Sequence, residues 1–316
     1  MTPQDQDPKD TVRWKVALST MWAVDRDEPF ASFFTRSHEL GFSHQELNHR
    51  VTPAMLAAVD PSNLAVASVH EPCPCDVLRR ERQQHGIHIS SVDELHRGQA
   101  VEWLRGSLRL AHRLGAAAIV VHAGEVPVGK KITRALRELR LESGVSSDEF
   151  RDLQDRFFKE RTGRASDHLE AVRRSLLEVA SEAESLGVTL GLENRDHLYE
   201  IPLIEEMDEL LRLRPGIIEY WHDTGHAEKL EELGLNSQRE WLKRFSERMV
   251  GIHLHDNREL TDHIAPGLGT VDWALVARHI PRDAIRTFEI RGFTTPEQIR
   301  ASQELLHEAG CIDRDG

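Results

Sequence analysis

Two short stretches, AAIVVH at 117–122 and VGIHLH at 250–255, decide the fold class of this chain. Each is a nearly continuous apolar run that reaches a histidine at its end. Such runs are typical of parallel strands that are buried on both faces. With similar runs elsewhere they predict eight strands: Val16–Trp22, Gln45–Asn48, Leu64–His70, Ala117–Gly124, Val188–Asn194, Ile217–Asp223, Val250–Asp256 and Ile285–Arg291.

Stretches with helical periodicity separate these strands. The predicted helices are Pro29–Leu40, Pro53–Val59, Gln99–Leu114, Ser166–Leu186, Leu203–Leu213, Ser237–Met249, Val271–His279 and Pro296–Ala309. Strand–helix alternation of this length predicts an α/β protein, a (β/α)8 TIM barrel, as a single domain over residues 1–316. The alternative is a doubly wound open sheet. No G-x-G-x-x-G motif follows the first strand, so we expect no nucleotide cofactor.

One connection is too long for a simple barrel. Residues 125–164 separate the fourth strand from its helix, whereas such loops usually have two to six residues. This insertion is highly charged and has helical periodicity at Thr133–Glu142 and Ser147–Glu160. Because it follows the C-terminal end of a strand, it should lie over the mouth of the barrel. We expect a lid or an arm that joins copies in a homo-oligomer, and its deletion should change KM or assembly while metal content stays intact.

The composition argues against two classes of partner. The chain has 316 residues, 39% of them hydrophobic, and a formal net charge of −13. An acidic chain gains little from the counterion release that drives nucleic-acid binding, so nucleic acid is not expected as a partner. No apolar run approaches the ~20 residues that cross a bilayer, and the polar N-terminus lacks a signal-peptide core. We therefore expect a cytoplasmic protein with no membrane contact.

The three cysteines predict no disulfide framework, because their number is odd and low. Cys73 and Cys75 flank Pro74 just after a predicted strand. A soft-metal site or a redox pair is one interpretation of this pair, and ordinary loop thiols are the favoured one.

The predicted strands bring ionisable residues to one edge of the barrel. From the third strand to the eighth, every strand ends in His, Asp or Glu, and in a (β/α)8 barrel this edge carries the active site. A single strand-end histidine such as His70 or His122 is more often a hydrogen-bonded packing residue. Repetition over six strands is costly unless the groups are paired or bind a cation. Imidazole and carboxylate together suit Mn, Zn, Co or Fe, so we expect a divalent metal cofactor.

Four motifs together resemble the xylose isomerase-like barrel superfamily: L-E-N at 192–194, W-H-D-x-G-H at 221–226, H-L-H-D at 253–256 and the strand-final Glu289. This superfamily includes sugar epimerases related to tagatose epimerase, inosose dehydratase, hydroxypyruvate isomerase and endonuclease IV. The resemblance extends from about Val16 to Ala309, apart from the insertion. It is specific for the superfamily and does not select a reaction.

The resemblance to the epimerases implies a metal-dependent isomerase or epimerase that acts on a sugar, polyol or related hydroxy-carbonyl compound. It implies that one metal is bound by Glu193, Asp223, His253 and Glu289. His253 is preferred to His255 because the family pattern H-x-x-[D/E] is completed from His253. Glu193 and Glu289 would then move a proton on opposite faces of the substrate through an enediolate. The implied substrate-binding residues are His226, Arg195, Arg291 and Trp221.

The resemblance to endonuclease IV implies a different function, a multinuclear metallohydrolase that cleaves phosphoesters as an AP endonuclease does. The additional metal ligands would be His70, His122, His226 and His263. The chain departs from that pattern at Thr261, where an aspartate is expected, although the adjacent Asp262 could substitute. A third interpretation, a binding protein on a decayed barrel, is opposed by the complete ligand set.

Strand order also predicts that the pocket is lined by Trp22, Glu46, His49 and Trp221.

Overall fold

The computed structural model describes residues 12–24, 26–77 and 85–315. Eight parallel strands close into a barrel, which confirms the predicted fold class. Around the barrel the strands follow the order β1-β10-β7-β6-β5-β4-β3-β2. They are Trp14–Ser19 (β1), Phe42–Leu47 (β2), Val66–His70 (β3), Ala118–Val121 (β4), Thr189–Glu193 (β5), Ile218–Asp223 (β6), Met249–Leu254 (β7) and Ile285–Phe288 (β10). The two remaining strands, Asp256–Arg258 (β8) and Thr261–Ile264 (β9), form a separate hairpin.

Helices in the described part of the chain pack around the strands. They are Met21–Val24 (α1), Ser32–Glu39 (α2), Pro53–Ala57 (α3), Glu94–Leu114 (α4), Lys130–Ser143 (α5), Asp148–Leu186 (α6), Ile204–Leu211 (α7), Thr224–Glu232 (α8), Gln238–Phe245 (α9), Trp273–Ala277 (α10) and Pro296–Ala309 (α11). The last helix has its predicted bounds, because Thr295 and Gln298 form a capping box and Gly310 ends the helix in the left-handed conformation. None of the described helices is long and apolar enough to span a membrane.

The insertion is helical as predicted, but its predicted end at residue 164 is wrong. The helix α6 continues without a break from Asp148 to Leu186, so one helix serves both the insertion and the barrel. Its first half is anchored by the buried rings of Phe150 and Phe157. The buried Arg161 also bonds to Glu206 of α7. Removal of residues 125–164 would therefore cut a packed helix, and only α5 remains as a separable covering element.

Two elements beside the mouth were not predicted from the sequence. The segment after β6 looks like a glycine turn, but it is the first turn of α8, which Asp223 caps through a bond from the His226 amide. The hairpin turns through Glu259 and Leu260, both with positive φ. A two-residue turn of this kind usually contains Asn-Gly or Asp-Gly. Because neither pair is present here, the sequence did not predict the hairpin.

The lower barrel interior is filled by Trp221. Its indole packs with Ala118 and Val120, and its side chain is fully buried. A Cβ at Gly251 would lie 2.2 Å from the Trp221 ring, and one at Gly191 would lie 2.9 Å from it. These two glycines give the ring its space, so Trp221 forms the floor below the strand-end residues.

Candidate metal centre

Four strand-end side chains meet at one point, which we call the central position. It is reached by Glu193 from β5, Asp223 from β6, His253 from β7 and Glu289 just after β10. The His253 Nδ1 atom lies 2.7 Å from Glu193 Oε1, 3.1 Å from Glu289 Oε2 and 3.4 Å from Asp223 Oδ2. All four side chains are buried. The closeness of these groups follows from parallel strands that end at the same edge.

At the central position, three carboxylates face a single imidazole nitrogen. A single N–H on His253 Nδ1 cannot satisfy three carboxylates, and three unpaired buried carboxylates would be very costly. Burial lowers the pKa of His253, but the charges of Glu289 and Glu46 outweigh burial and raise it well above its usual value. Mixed imidazole and carboxylate donors suit a divalent transition-metal ion. The residues present therefore fit a bound cation.

The orientation of His253 is fixed from below by Glu46. The His253 Nε2 atom lies 3.1 Å from Glu46 Oε2, and the Ser68 hydroxyl donates to the same oxygen at 2.8 Å. Nε2 thus donates its proton to Glu46, so a metal ion that replaces the Nδ1 proton would meet the Nδ1 lone pair directed at the central position. Carboxylate–histidine pairs of this kind orient the ring of a metal ligand and increase its basicity.

Asp223 is oriented in a similar way by the neighbouring His255. The backbone amide of His263 donates to His255 Nδ1 at 3.0 Å, so Nδ1 acts as an acceptor. The proton of this imidazole then lies on Nε2, which is 2.8 Å from Asp223 Oδ1. His255 therefore donates to Asp223 instead of presenting a lone pair to a cation. This geometry agrees with the choice of His253 over His255 as a ligand.

A second cluster beside the first contains a cation supplied by the protein. His70, His122 and Glu193 offer ligand atoms within 4.8 Å of one another. The guanidinium of Arg195 contacts Glu193 and is 2.7 Å from His122 Nε2, beside the direct 2.9 Å approach of His122 Nε2 to Glu193 Oε2. We call this point the flanking position. Burial and the charge of Arg195 hold the pKa of His122 well below its usual value, so its lone pair faces the arginine.

A third cluster lies on the hairpin side of the mouth. It combines Asp223, His226, His255 and His263. The rings of His255 and His263 stack with centroids 4.2 Å apart. His226 Nδ1 donates to the Asn194 carbonyl at 3.1 Å, which leaves its Nε2 atom available as an acceptor.

Beside this cluster, the ammonium of Lys229 holds the hairpin against the segment that follows β5. It lies 2.6 Å from Asp196 and 2.8 Å from Asp262. Arg291 binds the other oxygen of Asp262 at 2.7 Å. Asp262 is therefore already neutralised by protein cations, and Thr261 is exposed.

A cavity of about 370 Å³ opens above these clusters. Most of the expected site residues line it: His49, His70, His122, Glu193, Arg195, His226, His263, Glu289 and Arg291.

The expectation that Trp22, Glu46 and Trp221 line the pocket is wrong, because all three are buried out of reach of the cavity. Trp22 donates its indole N–H to the Thr294 carbonyl instead. Asp223 and His253 lie just below the cavity floor, where they face the central position. Cys73 and Cys75 are buried free thiols away from the cavity.

Sequence reasoning missed three charged residues of the site. Asp196, Lys229 and Arg137 all line the cavity. Asp196 follows Glu193-Asn194-Arg195 directly, so its position at a strand end was a usable signal. Lys229 lies on the unpredicted helix α8, one turn after His226. Arg137 lies on α5, and its place depends on how the insertion folds over the mouth, for which the sequence has no local signal.

Comparison with known proteins agrees with this architecture. The family model described as xylose isomerase-like TIM barrel matches residues 30–309. No curated protein matches the chain in sequence.

Several solved structures share the fold. The 3-keto-D-glucoside 4-epimerase of E. coli superposes with a TM-score of 0.64 at 16% identity, covering 94% of this chain and 100% of that one. D-psicose 3-epimerase of Clostridium cellulolyticum superposes with a TM-score of 0.63 at 14% identity, covering 93% and 98%. A Thermus thermophilus protein soaked with ZnCl2 has a TM-score of 0.56 at 20% identity, covering 93% and 97%. At these identities the likeness concerns the fold.

Proposed function

The chain belongs to the xylose isomerase-like TIM barrel family, and we propose that it is a divalent-metal-dependent isomerase or epimerase of a sugar, polyol or related hydroxy-carbonyl compound. The central position carries this proposal. Three carboxylates and one correctly oriented imidazole nitrogen converge there, under a cavity large enough for a small molecule. The sugar epimerases that share the fold support the same class of reaction.

We assign the metal ligands as Glu193, Asp223, His253 and Glu289. A divalent ion held there would polarise the substrate carbonyl and stabilise negative charge on the neighbouring oxygens. Glu46 and His255 hold His253 and Asp223 in the required orientations. The metal could be Mn, Zn, Co or Fe, all of which accept this mixed set of nitrogen and oxygen ligands.

Glu193 and Glu289 are the proposed acid–base pair. Each directs one oxygen at the central position and has its second oxygen elsewhere, near His122 for Glu193 and near Asn48 for Glu289. Burial raises the pKa of Glu193, but the charge of Arg195 holds it well below the usual value. Glu193 is thus ionised at neutral pH and can take the proton from the carbon next to the carbonyl.

The second glutamate completes the reaction. The carbon–hydrogen electron pair enters the enediolate, and Glu289 returns a proton to the opposite face of the same carbon, or to the neighbouring carbon in an isomerisation. The side chains of Arg195, Arg291 and His226 around the mouth would bind the substrate oxygens. Burial raises the pKa of Glu289, but the charge of His253 and the hydrogen bond from His263 hold it well below its usual value, so Glu289 is ionised at rest. Glu289 would therefore take the proton that it delivers from solvent, and Glu193 would release its proton to solvent after turnover.

Proton transfer to carbon gives the direct test. We would incubate the metal-loaded protein with a panel of ketoses and inososes in deuterium oxide and follow the carbon-bound protons by NMR. The expected result is deuterium at the carbon next to the carbonyl, together with a new epimer or isomer. Absence of exchange with every member of a broad panel would contradict the proposal.

A multinuclear metallohydrolase is the second candidate. The observation in its favour is that the clusters with His70, His122, His226 and His263 adjoin the central position and share Glu193 and Asp223 with it. Arg195 at the flanking position argues against a second ion there. Elemental analysis of protein purified without added metal separates the two functions: about one ion per chain supports the epimerase, and two or three support hydrolysis of phosphoesters.

A further inference from the structure

Arg137 is the cation from the insertion that faces the candidate active site. It lies on α5 and lines the same cavity as Glu193 and Glu289. Its side chain is half-buried, and its Nη2 atom donates to the Leu260 carbonyl at 3.2 Å. This bond attaches the side chain to the turn of the hairpin. A guanidinium has five N–H donors, so most of its donors remain available toward the cavity.

The other arginine and lysine side chains of the cavity are already neutralised. Arg195 contacts Glu193 and Glu200, Lys229 contacts two aspartates, and Arg291 contacts Asp262. Arg137, in contrast, forms no ion pair with any residue that the structure describes. A half-buried guanidinium without a carboxylate partner is suited to bind an anion from outside the protein.

The charge of the cavity lining favours an anionic ligand as well. Among the lining residues, four carboxylates face four lysine or arginine side chains: Glu193, Asp196, Asp262 and Glu289 against Arg137, Arg195, Lys229 and Arg291. A divalent ion at the central position would offset the charges of Glu193, Asp223 and Glu289, so these carboxylates would no longer repel an anion that binds at Arg137.

We propose that Arg137 binds an anionic group, phosphate or carboxylate, of the substrate and thereby determines substrate specificity. This inference rests on the proposed function, because the group would be carried by the same hydroxy-carbonyl compound. Arginine binds both groups through two parallel N–H bonds. The insertion would then contribute recognition, and the barrel strands would contribute the chemistry.

Anion binding tests the inference without requiring turnover. We would titrate the metal-loaded protein with inorganic phosphate and with glycolate by calorimetry at constant ionic strength. The variants are Arg137→Gln, Arg137→Lys and the matched control Arg134→Gln. Arg134 lies on the same helix, is largely exposed and pairs with Glu138, so its loss removes the same charge away from the cavity.

Wild-type protein and Arg134→Gln should bind at least one anion equally well. Arg137→Gln should weaken that binding at least about tenfold, and Arg137→Lys should weaken it less, because a charged hydrogen bond is lost in the first and a charge is kept in the second. Binding of phosphate alone would indicate a phosphorylated substrate, and binding of glycolate alone a carboxylate. If neither anion binds, or if Arg137→Gln binds as well as Arg134→Gln, the inference is overturned.

The two proposals fail separately. Arg137-dependent anion binding without deuterium exchange into any ketose would contradict the epimerase and leave Arg137 as an anion site. Deuterium exchange into a neutral ketose, with a KM that Arg137→Gln does not change and no anion binding, would support the epimerase and refute the role of Arg137.

Discussion

The central and flanking positions share Glu193, yet they differ in what balances the charge. At the central position three carboxylates surround one imidazole nitrogen. Among the arginine and lysine side chains of the described chain, Arg195 alone contacts one of these carboxylates, Glu193. At the flanking position the guanidinium of Arg195 lies against His122 and Glu193. One position thus has the donor set that fits a cation from solution, while the protein supplies the cation at the other.

This difference bears directly on the number of metal ions. Ligand-type residues alone would suggest several ions, since His70, His122 and Glu193 have suitable spacing. A permanently charged guanidinium cannot be deprotonated to make room for an ion, so it must move away before one binds. The contrast therefore favours a mononuclear site, and each position can be altered separately.

The largest effect is expected from Glu193→Gln, which damages the central position. The amide loses the negative charge that binds the ion and cannot accept the proton from carbon. The expected result is loss of the ion and a fall in turnover of at least about 10²–10⁴-fold. Elemental analysis and the deuterium-exchange rate measure both. The control is Glu304→Gln on the exposed face of α11. Full metal content with unchanged turnover would refute the role of the central position.

The next change removes the protein cation from the flanking position. In Arg195→Met, Glu193 and Glu200 lose a buried partner, so the metal-free protein should lose about 3–5 kcal/mol in its free energy of unfolding. Excess metal should restore part of this stability, with a second ion bound by His70, His122 and Glu193. Metal titration followed by elemental analysis is the measurement. Arg291→Met, which removes a half-exposed cation, should keep one ion per chain. If Arg195→Met also binds only one ion, the statement that Arg195 takes the place of a second ion at the flanking position is refuted.

A smaller effect is expected from Glu46→Gln below the central position. The amide oxygen can still accept the proton of His253 Nε2, but the negative charge that strengthens the imidazole is lost. Metal affinity should fall about 10–100-fold, as is typical for partners that orient a metal ligand. Competition with a calibrated chelator gives the affinity. An unchanged affinity would show that the carboxylate has no influence on His253.

The barrel and the central position could be predicted because both depend on local signals. Apolar runs such as 117–122 identify the buried strands, and the residue after each run lies at the C-terminal edge whatever the exact strand bounds. The bounds themselves were less accurate. The strand β10 was expected to reach Arg291 and ends at Phe288, because the residues beyond it turn over the mouth.

Features that depend on distant contacts could not be predicted. The guanidinium of Arg195 is positioned by its contact with the ring of His122, which lies 73 residues earlier in the sequence. No local sequence pattern specifies that contact. Trp221 was placed in the pocket because strand order alone cannot tell the floor from the mouth of the barrel. Its depth is decided by Gly191 and Gly251, whose missing side chains let the indole lie inside the barrel.

Trp221→Phe should have the smallest effect on activity, because Trp221 lies under the central position and touches no part of the cavity. Its ring contacts the edge of His253 with centroids 5.1 Å apart. Its Nε1 atom has no hydrogen-bond partner in the described structure, so the smaller ring leaves a void but breaks no bond. The free energy of unfolding should fall by about 1–2 kcal/mol. KM should stay within about twofold of wild type, because KM reports contacts with substrate. Thermal unfolding and steady-state kinetics test the two statements, and a large rise in KM with unchanged stability would return Trp221 to the substrate pocket.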